Sequence, residues 1–280
     1  MIGRAGARRR SPLIVFVASL LAASCGAPLM KLPAGPGTPA SDAPAALAEA
    51  IKSCRTVNTF TAEIAVSGRV GGRRMRGRLV AGLAAPASAR LEAPAPFGAP
   101  LFIFVARGND ATVLLERDRR VLEHGKPDAV LEAMTGVSMT PAELRTTLTG
   151  CADEREAGGD ARSLGDGWLA IQDGRRVYLR RRKPTDPWQI VAAISRDSAG
   201  AEWRAEYSDF SGGLPRSIRL ASTDPNRFNL TLALSQVETN VALGDEAFRV
   251  QIPASTSPIT LAELREAGPL ADRTSSSNGR

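Results

Sequence analysis

The 280-residue chain has little of what enzymes and nucleic-acid binders need. It has one histidine, His124, beside Gly125 and with no Ser or Cys nucleophile motif near it. It has three cysteines and no CxxC pair, so nothing points to a metal site. Aspartate and glutamate are scattered among arginines, with no spaced carboxylate pair for acid–base work. Gly71-Gly72 and Gly158-Gly159 lack the strand-to-helix setting and the lysine of a phosphate loop. The expectation is a protein that is not an enzyme and uses no metal and no cofactor. Aromatic residues are only 5% of the chain, which leaves Leu, Val, Ile and Ala to build the core.

Charge is nearly balanced once the N-terminus is set aside. The formal net charge is +7, from 36 basic and 29 acidic residues, but Arg4, Arg8, Arg9 and Arg10 stand in an acid-free leader. The basic residues are not interleaved with aromatics, so nucleic acid is not an expected partner. The densest basic run is Arg175-Arg176 through Arg180-Arg181-Arg182-Lys183. It reads as a solvated strand face or as a contact for acidic lipid headgroups.

What is present begins with an address. Arg4 to Arg10 form a positive segment and Leu13 to Leu21 a short apolar one, followed by Ala22-Ala23-Ser24-Cys25. The apolar segment is too short to span as a mature helix, so residues 1–24 read as a secretory signal. Small residues before a cysteine resemble the bacterial lipobox, in which that cysteine (here Cys25) is lipidated. An ordinary signal-peptidase cut leaving a free thiol is the alternative. Residues 25–44, rich in Pro, Ala and Gly, read as a tether. No later apolar run is long enough to span a bilayer. Export places Cys54 and Cys151 in an oxidising compartment, where two remaining cysteines predict a disulfide, with two unrelated buried thiols as the alternative.

The folded domain is expected over residues 45–255. A helix over 41–54 opens it. Alternation then predicts an antiparallel meander from Phe60 to Glu123, and further strands from Trp168 to Ser235. Val237 to Ile252 reads as a closing strand-like segment, and Ala152 to Gly167 as a Gly-rich linker. Two short one-faced helices start at Pro127 and at Thr140-Pro141 and end at Gly136 and Gly150. Residues 256–280 read as a tail, disordered over Ala271 to Arg280. The fold class is mainly β, with about eleven antiparallel strands and no βαβ alternation.

The organising stretch is Leu79 to Ala106. Two strands flank Pro94-Ala95-Pro96-Phe97-Gly98-Ala99-Pro100, where three prolines and a glycine stop the ladder and force a stiff loop. Phe97 at its centre is either a probe presented to an apolar surface or a plug folded onto the core. Here a resemblance becomes specific. PAPFGAPLFIFVARGNDATVLL resembles the Pro-Leu-Gly loop segment of LolB-type lipoprotein receptors. VLEAMTGVSMTPAELRTTLTGC resembles their short helices, and LPRSIRLAS through FNLTLALSQVETNVALGDEAFRVQIP resembles the closing strands of the LolA/LolB-like family. The likeness implies an unclosed half-barrel with a helical lid over a cavity for lipoprotein or lipid acyl chains. It also implies an anchor in the outer membrane facing the periplasm, a partner surface in that membrane's inner leaflet, and a periplasmic LolA-like carrier as donor. The insertion loop would be Pro96, Phe97 and Gly98. Strand parity and helix faces give the candidate cavity and lid residues: Ile64, Val66, Leu79, Leu91, Phe102 and Phe104 on strands, and Leu131, Met134, Leu144 and Leu148 on helices. The alternative is a non-carrier envelope lipoprotein that serves as a protein-binding scaffold or stress sensor.

Overall fold

The computed structural model describes residues 28–95, 97–197, 199–268 and 270. Its contacts divide the chain into Met1–Lys31 and Leu32–Arg280, and the second unit holds every element named below. A two-residue strand β1 (Thr38–Pro39) and helix α1 (Ala43–Ala50) come first. Six antiparallel strands follow: β2 (Thr59–Val70), β3 (Arg73–Ala84), β4 (Ser88–Ala93), β5 (Phe102–Arg107), β6 (Asp110–Leu115) and β7 (Arg120–Gly125). Helices α2 (Pro127–Thr135) and α3 (Pro141–Thr149) then interrupt the sheet. A 3-10 turn at Glu154–Gly158 leads into β8 (Asp160–Gly165), β9 (Trp168–Asp173), β10 (Arg175–Arg180) and β11 (Gln189–Arg196). β12 (Glu202–Ser208), β13 (Ser217–Ser222) and β14 (Phe228–Thr239) complete this run. A two-residue β15 (Ser257–Pro258) and helix α4 (Leu261–Ala267) close the chain.

All fifteen strands belong to one unclosed sheet, in the order β1-β8-β9-β10-β11-β12-β13-β14-β2-β3-β4-β5-β6-β7-β15. Two meanders are thus joined where β14 pairs with β2. These two strands alternate cleanly. Phe60, Ala62, Ile64 and Val66 are buried on β2, and Phe228, Leu230, Leu232 and Leu234 on β14. Alternation of this kind buries one face against the core and leaves the other wet. The register places Leu232 opposite Val66 and Leu234 opposite Ile64, so the apolar rows run straight across the seam. Gly68 makes that seam close. Its φ is +145°, and a Cβ there would sit 2.1 Å from the Asn229 carbonyl oxygen on β14.

The helices cover the apolar face. α2 starts on Pro127 and ends on Gly136 in the left-handed conformation, burying Val130, Leu131, Ala133 and Met134. α3 carries a reciprocal N-terminal cap: the Glu143 carboxylate accepts from the Thr140 N–H at 2.7 Å, and the Thr140 hydroxyl accepts from the Glu143 N–H at 3.2 Å. Cys54, after α1, and Cys151, after α3, form a disulfide with a Cα–Cα distance of 5.7 Å.

Several expectations need correction. The strand count is fifteen among the described residues, not about eleven. β1 and β15 are two residues long, too short for any periodicity to register. β8 lies inside the stretch read as a linker. None of its residues is fully buried, so no alternation marks it, and its ladder comes from β9 and β1. Val237 to Ile252 is not a closing strand. After Asn240, whose N–H still donates to the Thr59 carbonyl, the chain leaves the ladder. Arg90 donates to the carbonyls of Ala247 and Arg249, and Arg107 pairs with Asp245 at 2.8 Å. Within the tether read over 25–44, Thr38 and Pro39 reach the sheet as β1, and Ala43 and Pro44 already belong to α1. Residues 256–267 of the C-terminal tail are ordered as β15 and α4, whereas 271–280 and the signal segment lie outside the described residues.

Candidate functional site

The candidate site is a cavity of about 70 Å³ between the sheet and the two-helix cover. Its floor follows from the register. Leu220 on β13 lies opposite Leu230 on β14, Leu232 opposite Val66 on β2, and Ile64 opposite Leu79 on β3. Met75 on β3 and Leu91 on β4 extend the floor. The roof is Leu131 and Thr135 of α2, Val137 and Met139 of the connection, and Leu144 and Leu148 of α3. Leu144 and Leu148 are one helical turn apart and therefore share a face. Thr135 is the single polar lining residue, and its hydroxyl donates to the Leu131 carbonyl at 2.7 Å. The wall thus offers a ligand no free hydrogen-bonding group.

One wall residue comes from the far end of the chain. Leu270, only 3% exposed, follows α4 and lines the cavity. Gly77 makes room for it, since a Cβ there would lie 3.3 Å from a Leu270 methyl. α4 packs on α2 and is tied to β7 by the Glu263 carboxylate, which accepts from Arg120 at 2.6 Å. Glu263 also accepts from the Thr260 N–H and hydroxyl. Those hydrogen bonds, the backbone one first and Arg120 next, hold its carboxyl down at about 2.

Of the ten residues expected in the cavity and lid, Ile64, Val66, Leu79, Leu91, Leu131, Leu144 and Leu148 line this cavity together. Phe102 and Phe104 share the buried face but are packed shut at 0% exposure. Met134 borders a separate chamber beside α4. Sequence reasoning missed Met75, Thr135, Val137, Met139, Leu220, Leu230, Leu232 and Leu270. For the three leucines of β13 and β14 the signal was present as plain alternation. For Leu270 no signal existed.

The loop between β4 and β5 is closed at its base by the Leu101 N–H donating to the Ala93 carbonyl at 2.8 Å. Phe97 is 89% exposed and is not folded onto the core. Its carbonyl accepts from Arg117 at 3.2 Å, which props the loop from the β6–β7 turn. Gly98 beside it has a φ of +77° and open space around it. Pro96 and Cys25 lie outside the described residues. The basic run 175–183 is mostly spent on the protein itself. Arg175 binds Glu156 and the Cys151 carbonyl, Arg176 binds Gln172, and Arg180 and Arg181 stack on Trp168 and Trp188. Among the described residues no group of three or more His, Cys, Asp and Glu could hold a metal, and no helix is long and apolar enough to cross a membrane.

Against known proteins, no family model matches this sequence and no curated protein matches it. Solved structures do. A LolA superfamily protein from Nitrosomonas europaea superposes with a TM-score of 0.50 at 12% identity, covering 74% of this chain and 97% of that one. A DUF1329 family protein from Desulfovibrio piger gives 0.48 at 14% identity, covering 73% and 96%. At such identity the likeness concerns the fold, and that fold is LolA/LolB-like.

Proposed function

We propose that this chain, built on the LolA/LolB-like fold, is a non-catalytic lipid-anchored envelope protein. It shelters acyl chains between its sheet and α2–α3 and helps transfer or insert lipoproteins or lipids into the outer membrane, with Phe97 as the membrane-entering residue. Cys25 is the anchor, and a periplasmic LolA-like carrier is the donor. The observation that carries the reading is the cavity wall, in which fourteen of fifteen residues are apolar and the one hydroxyl is internally bonded. Each methylene buried there contributes roughly 0.8 kcal/mol. A lipobox-like N-terminus and an exposed phenylalanine in a propped loop support the membrane part.

The cavity as it stands, about 70 Å³, is far below the roughly 300–1,000 Å³ of ordinary ligand pockets. A full acyl chain therefore enters only as the helices or Leu270 move outward. That small volume favours a second reading: a self-filled half-barrel serving as a protein-binding scaffold or stress sensor.

Mass spectrometry of acylated molecules co-purifying with the full chain decides between them, with a Leu144→Trp, Leu148→Trp chain as control. Acyl ligands on the native protein and none on the control are expected. Two ligand-free proteins would leave the scaffold.

A further inference from the structure

The outer face of the sheet carries a stripe of charge that the cavity does not use. β2 and β3 are joined at Gly71-Gly72, whose φ values of +55° and +75° suit a two-residue hairpin turn. Met75 and Leu79 of β3 are buried, so the other parity, Arg74, Arg76 and Arg78, lies on the face away from the core. Arg69 on β2 stands directly opposite Arg74. All four arginines are exposed, and among the described residues none of the four has an ion pair or a side-chain hydrogen bond. Like charges directly opposite each other weaken a ladder, so the Arg69–Arg74 pair does not serve the sheet's own stability. Their neighbours are small and uncharged: Ser67 is opposite Arg76 and Ala65 opposite Arg78, with Thr231 and Ala233 of β14 beyond. The acidic residue on this face of β2 is Glu63, opposite Val80. Counted against the four arginines, it still leaves three positive charges. Farther across, Arg204 pairs with Glu206, and Arg219 lies opposite Glu206 and donates to Asn229, so those charges are set aside.

The stripe stands at the end of the sheet where Phe97 is presented. β4 pairs with β3 only from Ser88, opposite Ala84, to Glu92, opposite Val80. Running antiparallel, it leaves the ladder beside Val80 and heads along the part of β3 that has no β4 partner. β5 then returns with Phe102 opposite Ala93. The loop holding Phe97, 89% exposed, therefore emerges beside Arg78. From there the arginines continue over about 13 Å to Arg74, at about 7 Å from one to the next. Glu116 and Asp118 of the β6–β7 turn are matched in number by Arg117 and Arg119. Glu132 and Glu266 lie with α2 and α4 on the opposite, helix-covered side. Charges on an open strand edge also keep other strands away, but either sign does that, and here every one is an arginine.

We propose that Arg69, Arg74, Arg76 and Arg78 form the surface on which the protein seats against an anionic bilayer while Phe97 enters it. The proposal rests on the membrane reading of Phe97 and adds the class of lipid that the surface selects. A bilayer that takes up the exposed ring at the end of the sheet brings its headgroups to the adjoining stripe, where unpaired guanidinium groups bind phosphate oxygens well. The densest basic run of the chain, 175–183, is spent on the protein itself, whereas these four arginines are not.

The test is vesicle co-sedimentation of residues 25–280, which hold every element of the fold, with Cys25→Ser so that no lipid anchor adds to the contact. One set of vesicles is phosphatidylcholine, and the other contains about one-third phosphatidylglycerol; poly-glutamate serves as a soluble polyanion. Each arginine near an anionic surface multiplies affinity about five-fold, so three net charges should favour the anionic vesicles by about a hundred-fold. Raising salt from about 0.1 M to about 0.5 M should remove most of that preference. An Arg74→Gln, Arg76→Gln, Arg78→Gln chain should lose it as well and keep its association with phosphatidylcholine, whereas Phe97→Ser should weaken both associations by the same factor. Equal binding to the two vesicles, or a preference that survives in the triple variant, would overturn the arginine surface and leave Phe97 standing. Poly-glutamate binding as tightly as the anionic vesicles would overturn the bilayer as the partner and assign the stripe to an acidic protein. Binding to neither vesicle would remove the membrane reading of Phe97 and this proposal together.

Discussion

Replacing Leu270 by alanine should make the protein less stable and a better acyl binder at the same time. Leu270 is 3% exposed and lies against Gly77 in the cavity wall. Shortening it removes three buried carbons, about 2.4 kcal/mol at roughly 0.8 kcal/mol each. The void left behind would add to this in a rigid core. Here the void joins an existing cavity of about 70 Å³, and the residue follows a terminal helix, so the lower end applies: about 2–3 kcal/mol. For a domain of this size that corresponds to a fall in Tm of roughly 5–10 °C. The same void is room for a ligand, so capture of a labelled fatty acyl probe should rise. Thermal denaturation and probe titration on one preparation read both quantities. A variant that loses stability yet captures no more probe would refute the reasoning, because Leu270 would then be ordinary packing and the cavity not a binding site.

Other outcomes follow from the same geometry. Removing the Cys54–Cys151 disulfide by Cys54→Ala, Cys151→Ala frees a separation of 97 residues, which by loop entropy costs about 4–5 kcal/mol, measurable by urea unfolding under non-reducing conditions. Phe97→Ser should leave the urea midpoint unchanged, since the ring is 89% exposed. The same change should weaken liposome association by about ten- to a hundred-fold, the worth of burying one such side chain. Glu263, held at about 2 in the fold against an ordinary 4.5, stabilises α4 at any pH above 4.5. That contribution is lost as pH falls from 4.5 through about 2. The protection factor of the Leu264 amide, which donates to the Thr260 carbonyl, should therefore fall across that window in the native chain, measured against the intrinsic exchange rate at each pH. It should already be reduced at neutral pH in Glu263→Ala, which removes the cap acceptor.

Much of this molecule is legible in its residues one segment at a time. Alternation on β2 identifies Ile64 and Val66 as one buried face, and the i, i+4 spacing of Leu144 and Leu148 identifies a one-sided helix. Proline and glycine between Ala93 and Leu101 announce the loop that presents Phe97. Such signals are local because backbone geometry repeats every two residues in strands and about every 3.6 in helices. What they cannot specify is which apolar faces meet. Phe104 pairs directly with Leu91 and shares its face, yet one is packed shut and the other borders a void. Leu232 reaches Val66 only because β14 crosses back to β2 from the other meander, and Leu270 reaches Gly77 only because α4 docks on α2. A cavity is the space that several surfaces leave when they fail to fill it. It is therefore decided by long-range packing, and the sequence alone settled only which surfaces were available to meet.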